Sequence, residues 1–124
     1  MKILIVDDEE IIRQGLSRFL NKEKIETLLA EDSFQALQFL AMFNVKLIIC
    51  DHGIPALNGL ELLKRIRSNP EYQNLPFIMI TGSIDEKLIK EIISAGANKC
   101  FIKPFEPNEL IDFIKNTTDG EKIE

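Results

Sequence analysis

Short, branched, unbroken apolar runs alternate along this chain with longer segments of helical spacing, and that alternation excludes most architectures. Ile3-Leu4-Ile5-Val6 has no polar side, as in a strand buried on both faces. From about residue 10 to 20, Ile11, Ile12, Leu16, Phe19 and Leu20 recur at helical spacing. Residues 25–30 read as a second strand. Asp32-Ser33-Phe34-Gln35 has the form of a capping box opening a helix through Ala36, Leu37, Leu40 and Ala41. Residues 45–50 form a third buried run that ends at Asp51, and Asn58-Gly59-Leu60-Glu61 starts a helix through Leu62, Leu63 and Ile66. Residues 76–80 read as strand four. Ser83-Ile84-Asp85-Glu86 reads as a second capping box, for a helix that runs to Ala95 and stops at Gly96. Residues 99–103 are strand five, and Pro107 suits the first position of a last helix.

Five strands alternating with five helices predict an α/β fold, a parallel sheet covered on both sides in three αβα layers. Right-handed crossovers make it doubly wound. The expected strand order is the flavodoxin-like 2-1-3-4-5. A chain of 124 residues, 45% hydrophobic and 28% charged, suits one domain with a real core. We place that domain at residues 1–118, with a polar tail over 119–124. The two cysteines, Cys50 and Cys100, lie in apolar runs without a CxxC pattern, so they read as reduced core thiols of a cytoplasmic protein. The net charge of -5, without a Lys/Arg cluster, argues against direct nucleic-acid binding. No apolar run reaches membrane-span length, and MKILIVDDEE lacks the shape of a signal peptide.

In open α/β sheets, ligands bind beyond the carboxyl ends of the strands. Those ends carry Asp7-Asp8, Asp51, Thr81-Gly82 and Lys103-Pro104. Taken singly, each is an ordinary turn or capping residue. Together they crowd like charges on one edge, which costs stability unless something positive sits among them. A hard divalent cation answers that need, and magnesium takes one or two protein carboxylates together with waters and phosphate oxygens.

These residues, in this order and spacing, resemble the receiver domains of two-component signalling. The resemblance rests on the acidic pair in ILIVDDEE and on the stretch from Asp51 to Gly59, DHGIPALNG, which is similar to the family's D-x-x-M-P-x-M-(D/N)-G. It rests also on Thr81 followed by a small residue, on Ala95-Gly96-Ala97, and on Lys103-Pro104-Phe105. It implies a phosphorylation-dependent switch rather than a turnover enzyme, promoting only its own phosphorylation and slow dephosphorylation. Asp51 would take the phosphoryl group from a phosphohistidine of a sensor histidine kinase or phosphotransfer protein. Asp8, Asp51 and the backbone carbonyl of Gly53 would hold Mg2+ (or Mn2+), with Asp7 acting through a water. Lys103 would pair with Asp51 and then with a phosphoryl oxygen. Thr81 would donate its hydroxyl to another, and Gly82 would leave room for the group. The resemblance further implies a cis Lys103–Pro104 peptide and a downstream protein or output domain as partner. A phosphorylation-dependent homodimer is compatible with it, and a membrane partner is not expected.

Two positions depart from the family. The aromatic switch position, three before the lysine, is Cys100, while Phe101 points to the other face of the strand. The switch pair would then be Thr81 and Cys100, with the helix after strand four, the strand-five edge and the last helix as output surface. The positions that govern water access to an acyl phosphate are Gly53 and Ser83, both small. His52 is expected in an exposed loop. Three rivals remain. A haloacid-dehalogenase-like phosphohydrolase needs an acid two residues after its nucleophile, where Asp51 has Gly53. A flavodoxin-like cofactor binder would find Asp7-Asp8-Glu9-Glu10 where a phosphate should sit. A pseudo-receiver, folded but not phosphorylated, is kept open by Cys100.

Overall fold

A computed structural model describes the backbone of residues 2–123 and the side chains of residues 2–117. In chain order the elements are β1 Lys2–Val6, α1 Glu10–Lys22, β2 Glu26–Ala30, α2 Ser33–Met42, β3 Leu47–Asp51 and α3 Gly59–Arg67. A 3-10 turn at Pro70–Tyr72 follows, then β4 Phe77–Thr81, α4 Glu86–Ser94, β5 Lys99–Ile102 and α5 Pro107–Ile123. The strands pair in parallel in the order β2-β1-β3-β4-β5, as expected. The boundary expected at 118 and the tail over 119–124 fall outside the described side chains, and the backbone of α5 runs to Ile123. Among the described residues no helix is long and apolar enough to cross a membrane.

The unbroken apolar runs are explained by two cores, one on each face of the sheet. Alternate side chains point to opposite faces of a strand. Leu4, Val6, Ile48, Cys50, Phe77 and Met79 pack against α2, α3 and α4 through Ala36, Leu40, Leu62, Leu63, Ile66 and Ile92. Ile3, Ile5, Leu47, Ile49, Ile78, Ile80 and Phe101 pack against α1 and α5 through Leu20, Leu110, Ile111 and Ile114. Both faces are needed to bury these strands, and a one-sided sheet would leave half of them in water. Both cysteines are free thiols. Cys50 is buried as expected, but Cys100 is only half-buried, because β5 is the edge strand.

The helix starts refine the capping expectations. Only α3 has the full reciprocal box, with Asn58 accepting from the Glu61 amide and Glu61 accepting from the Asn58 amide among the described residues. At α2 the Asp32 side chain accepts from the Gln35 amide, but Gln35 reaches back to the amide of Glu31, so the box is displaced by one residue. At α4 the cap is Asp85, not Ser83. The Ser83 hydroxyl instead accepts from the Asp85 amide within the turn that follows Thr81.

At the amino ends of β4 and β5, one guanidinium ties the connections together. Arg67, the last residue of α3, donates to the Gly96 carbonyl from Nε and Nη2 (3.1 and 2.8 Å), to the Tyr72 carbonyl (2.7 Å) and to Asn98 Oδ1 (3.2 Å). Asn98 Oδ1 also accepts from the Phe77 amide, at the first residue of β4. Gly96 sits at φ 113°, and a Cβ there would lie 2.8 Å from Arg67 Nε, so only glycine serves.

Candidate functional site

Strand register brings the chemistry-bearing residues side by side. Val6 is level with Cys50, Asp51 with Ile80, and Thr81 with Ile102. The residues that end or follow these strands, Asp7, Asp51, Thr81 and Lys103, therefore line one edge of the sheet. Oxygens of Asp7, Asp8 and Asp51 lie within 4.8 Å of one another. Asp7 is buried, Asp8 is exposed and Asp51 lies between.

Asp51 divides its two oxygens. Oδ1 is 2.7 Å from Lys103 Nζ, and Oδ2 accepts from the Gly53 amide at 3.1 Å. Lys103 follows β5 directly, and its peptide bond to Pro104 is cis. Partial burial works against the Lys103 ammonium. The hydrogen bond to Asp51 and the charges of Asp51, Asp7 and Glu9 outweigh it and raise its pKa above that of an ordinary lysine. The site thus keeps a full positive charge at neutral pH.

Asp7 is held differently. Its Oδ1 accepts from the Glu9 amide at 2.9 Å. Burial nevertheless raises its pKa, and the nearby charges of Asp51 and Asp8 add to the rise, while the Glu9 hydrogen bond and Lys103 oppose it. One ammonium facing three carboxylates leaves the pocket short of positive charge. That deficit, together with a donor set made only of hard oxygens, fits a divalent cation at the Asp7, Asp8 and Asp51 cluster.

Thr81 is buried at the end of β4, and its hydroxyl accepts from the Ser83 amide at 3.1 Å, which leaves its own proton to give. Beside it, a Cβ on Gly82 would meet nothing within 4 Å, so the space at this corner is open. Cys100 is not among the charged groups. It packs against the core on the α2–α4 side, level with Met79, and Thr81 shares that side with Met79 by strand alternation. Phe101 is committed to the other side, against Phe105 at 5.3 Å and Phe113 at 6.3 Å.

The loop after Asp51 is closed at its neck. The His52 amide donates to the Ile80 carbonyl, and the His52 carbonyl accepts from the Gly59 amide, both at 2.8 Å. This fold-back leaves His52 half-buried rather than exposed as expected. It also explains Gly59: a Cβ there would lie 2.8 Å from His52 Cα and 3.0 Å from the Asp51 carbonyl. Two residues that the sequence did not single out join the frame. Arg13 donates to the Asp7 carbonyl at 2.8 Å. Ser33, expected only as part of a helix cap, sends its hydroxyl into the loop after Asp51. Nothing local in the sequence marks either contact, since one crosses a helical turn and the other 24 residues.

The sequence pattern of the response regulator receiver domain family matches residues 3–115. A chemotaxis protein CheY homolog of Campylobacter jejuni is 32% identical over 126 residues, covering 98% of this chain and 97% of that protein. The sporulation initiation phosphotransferase F of Bacillus subtilis is 37% identical over 114 residues, covering 92% of this chain and 90% of its own length. Among solved structures, the chemotaxis response regulator CheY4 of Vibrio cholerae superposes with a TM-score of 0.86 at 30% identity, covering 94% of this chain and 97% of that one.

Proposed function

The chain belongs to the response regulator receiver domain family, and from that premise we propose that Asp51 is its phosphoryl acceptor. The observation that carries the proposal is the Asp51 carboxylate held 2.7 Å from Lys103 and within 4.8 Å of the oxygens of Asp7 and Asp8. An oxygen of Asp51 attacks the phosphorus of a phosphohistidine on a sensor histidine kinase or phosphotransfer protein. The P–N bond breaks as the P–O bond forms, and the imidazole leaves on the donor. The residue types favour this step through position and charge rather than through proton transfer. Lys103, fully charged, moves its partnership from Asp51 Oδ1 to a phosphoryl oxygen. Thr81 donates its hydroxyl to a second oxygen across the open space at Gly82.

Asp8, Asp51 and the Gly53 carbonyl would hold Mg2+ (or Mn2+), with Asp7 through a water. When bound, the ion neutralises the charge that accumulates as carboxylate and phosphoryl group approach. The protein is read as a cytoplasmic switch that catalyses only its own phosphorylation and slow dephosphorylation. Thr81 is drawn toward the phosphoryl group, and half-buried Cys100, on the same side of the sheet, takes the place an aromatic would fill. The surface of α4, β5 and α5 then meets a downstream protein, an output domain or a second copy of the chain.

Incubation with a small phosphodonor and Mg2+, followed by intact mass measurement, tests the reading. We expect a gain of one phosphoryl group, lost in Asp51→Asn and on chelation of the metal. An unchanged mass in the wild-type protein would leave a pseudo-receiver, and sustained hydrolysis of many phosphoesters would leave a phosphohydrolase.

A further inference from the structure

The loop that carries Asp51 into α3 contains a backbone conformation that a side chain disfavours. Ala56 sits at φ 71°, in the left-handed region. Such residues persist where their surroundings over-determine them. Here one buried side chain holds both flanks of the strained residue. Ser33, at the first position of α2, is fully buried. Its hydroxyl donates to the Pro55 carbonyl at 3.2 Å and accepts from the Leu57 amide at 2.8 Å. The Ser33 amide also points to the Pro55 carbonyl, at 3.5 Å. The two hydroxyl bonds grip the residues on either side of Ala56.

This grip bears on Gly53. The loop is closed at its neck by His52 and Gly59, and Ile54 is buried in the core. Gly53 lies between these anchors, exposed, with its amide on Asp51 Oδ2 and no side chain to hold it. Where its carbonyl points is then set by how firmly residues 54–57 are held.

We propose that Ser33 is a positioning residue for the phosphoacceptor loop, clamping Pro55 and Leu57 across Ala56 and so fixing the Gly53 carbonyl that takes part in cation binding. The inference rests on the site reading above for the cation, but not for the clamp. A buried hydroxyl that both donates and accepts cannot be removed without taking from the half-buried Leu57 amide the acceptor it has here. Ser33 touches the residues two and four beyond Gly53 and not Gly53 itself, so the lower end of the about ten- to hundredfold effect of a lost outer-shell partner is expected.

The test uses the whole chain, with Mn2+ as probe. In metal-free protein the Leu57 amide should exchange with solvent slowly, and in Ser33→Ala much faster, with the amides of β1 and β3 unchanged. Mn2+ binding, read by water-proton relaxation, should weaken about tenfold in Ser33→Ala. Ser33→Cys is slightly larger and weakens both bonds without removing them, so it should fall between; it also serves if Ser33→Ala does not fold. Ala56→Gly should change little in the wild type. In the Ser33→Ala background it should restore most of the affinity, because glycine adopts the left-handed conformation freely. That non-additive rescue is a result that mere loss of packing at Ser33 would not give. The clamp is overturned if Leu57 exchange is unchanged in Ser33→Ala, or if Ala56→Gly rescues nothing. A wild-type chain that binds no Mn2+ and takes no phosphoryl group refutes the site reading instead, and the exchange and rescue still decide the clamp.

Discussion

The two ends of the sheet handle charge in opposite ways. At the amino ends of β4 and β5, the Arg67 guanidinium is answered by the neutral oxygens of Gly96, Tyr72 and Asn98. At the carboxyl ends, three carboxylates share the ammonium of Lys103. Hydrogen bonding does not separate the two ends. Among the described residues no buried side-chain nitrogen or oxygen lacks a partner. What separates them is the crowding of like charge: at one end a lone cation is met by neutral oxygens, and at the other three carboxylates share one ammonium and leave an excess of negative charge. The first is arranged to hold still and the second to take up something positive. Stability and function therefore occupy opposite edges of one sheet, as expected where ligands bind at strand carboxyl ends.

Breaking the Arg67 end should have the largest effect on stability. Arg67→Ala removes the hydrogen bonds that join α3 to the connections before β4 and β5. Losing hydrogen bonds from a charged donor costs about 2–3 kcal/mol of unfolding free energy here, read by urea titration. Phosphoryl uptake per folded molecule should stay at the wild-type level. A large fall in uptake with the fold intact would mean that the two ends are coupled rather than separate.

Gly59→Ala probes the site end through its backbone. The new Cβ would press on Met79 Sδ, which can move, and on His52 Cα and the Asp51 carbonyl, which cannot. Overpacking of this kind costs about 1–3 kcal/mol. Unlike Arg67→Ala, it should also slow phosphoryl uptake, because the displaced backbone carries Asp51. Gly82→Ala meets nothing within 4 Å and serves as the silent control for stability.

The contrast between the ends also explains what the sequence disclosed. Strand runs, crossover hand and the charged edge were legible because each rests on a short pattern: an apolar run, a crossover rule, a residue directly after a strand; the strand order was an expectation from the fold type, which the pairing bears out. Asp7, Asp51, Thr81 and Lys103 needed only that rule to be placed together. The bonds that fix them were not legible. Ser33 and Pro55 are 22 residues apart, and Arg67 and Gly96 are 29. No local pattern encodes such pairs, since they exist only once the layers have packed. The Ser83 cap failed for a related reason. Asp85, two residues on, competes for the same role with a stronger acceptor, and Ser83 is drawn into the turn beside Thr81. Cys100 was placed on the correct face, but its exposure depends on β5 lying at the sheet edge.

The smallest expected change is the one that most sharpens the difference between the ends. Asp7→Asn should make the metal-free protein more stable at neutral pH, even though it damages the site. Burial and the neighbouring carboxylates raise the Asp7 pKa above its ordinary value of 3.8, so the ionised group opposes folding. A gain in unfolding free energy is expected, smaller than the effects above. The gain is complete above the raised folded-state pKa. It shrinks as pH falls toward 3.8, because wild-type Asp7 is then protonated too, and it is gone below that value. Added Mg2+ should reverse the order. An ion at a hundred times its dissociation constant stabilises the wild type by about 2.7 kcal/mol, and the variant by less. Urea titrations of both proteins at pH 7.5 and pH 3, with and without Mg2+, measure all of this. A metal-free variant less stable than wild type at pH 7.5 would show that the Glu9 hydrogen bond outweighs the crowded charge, and that this end of the sheet is balanced after all.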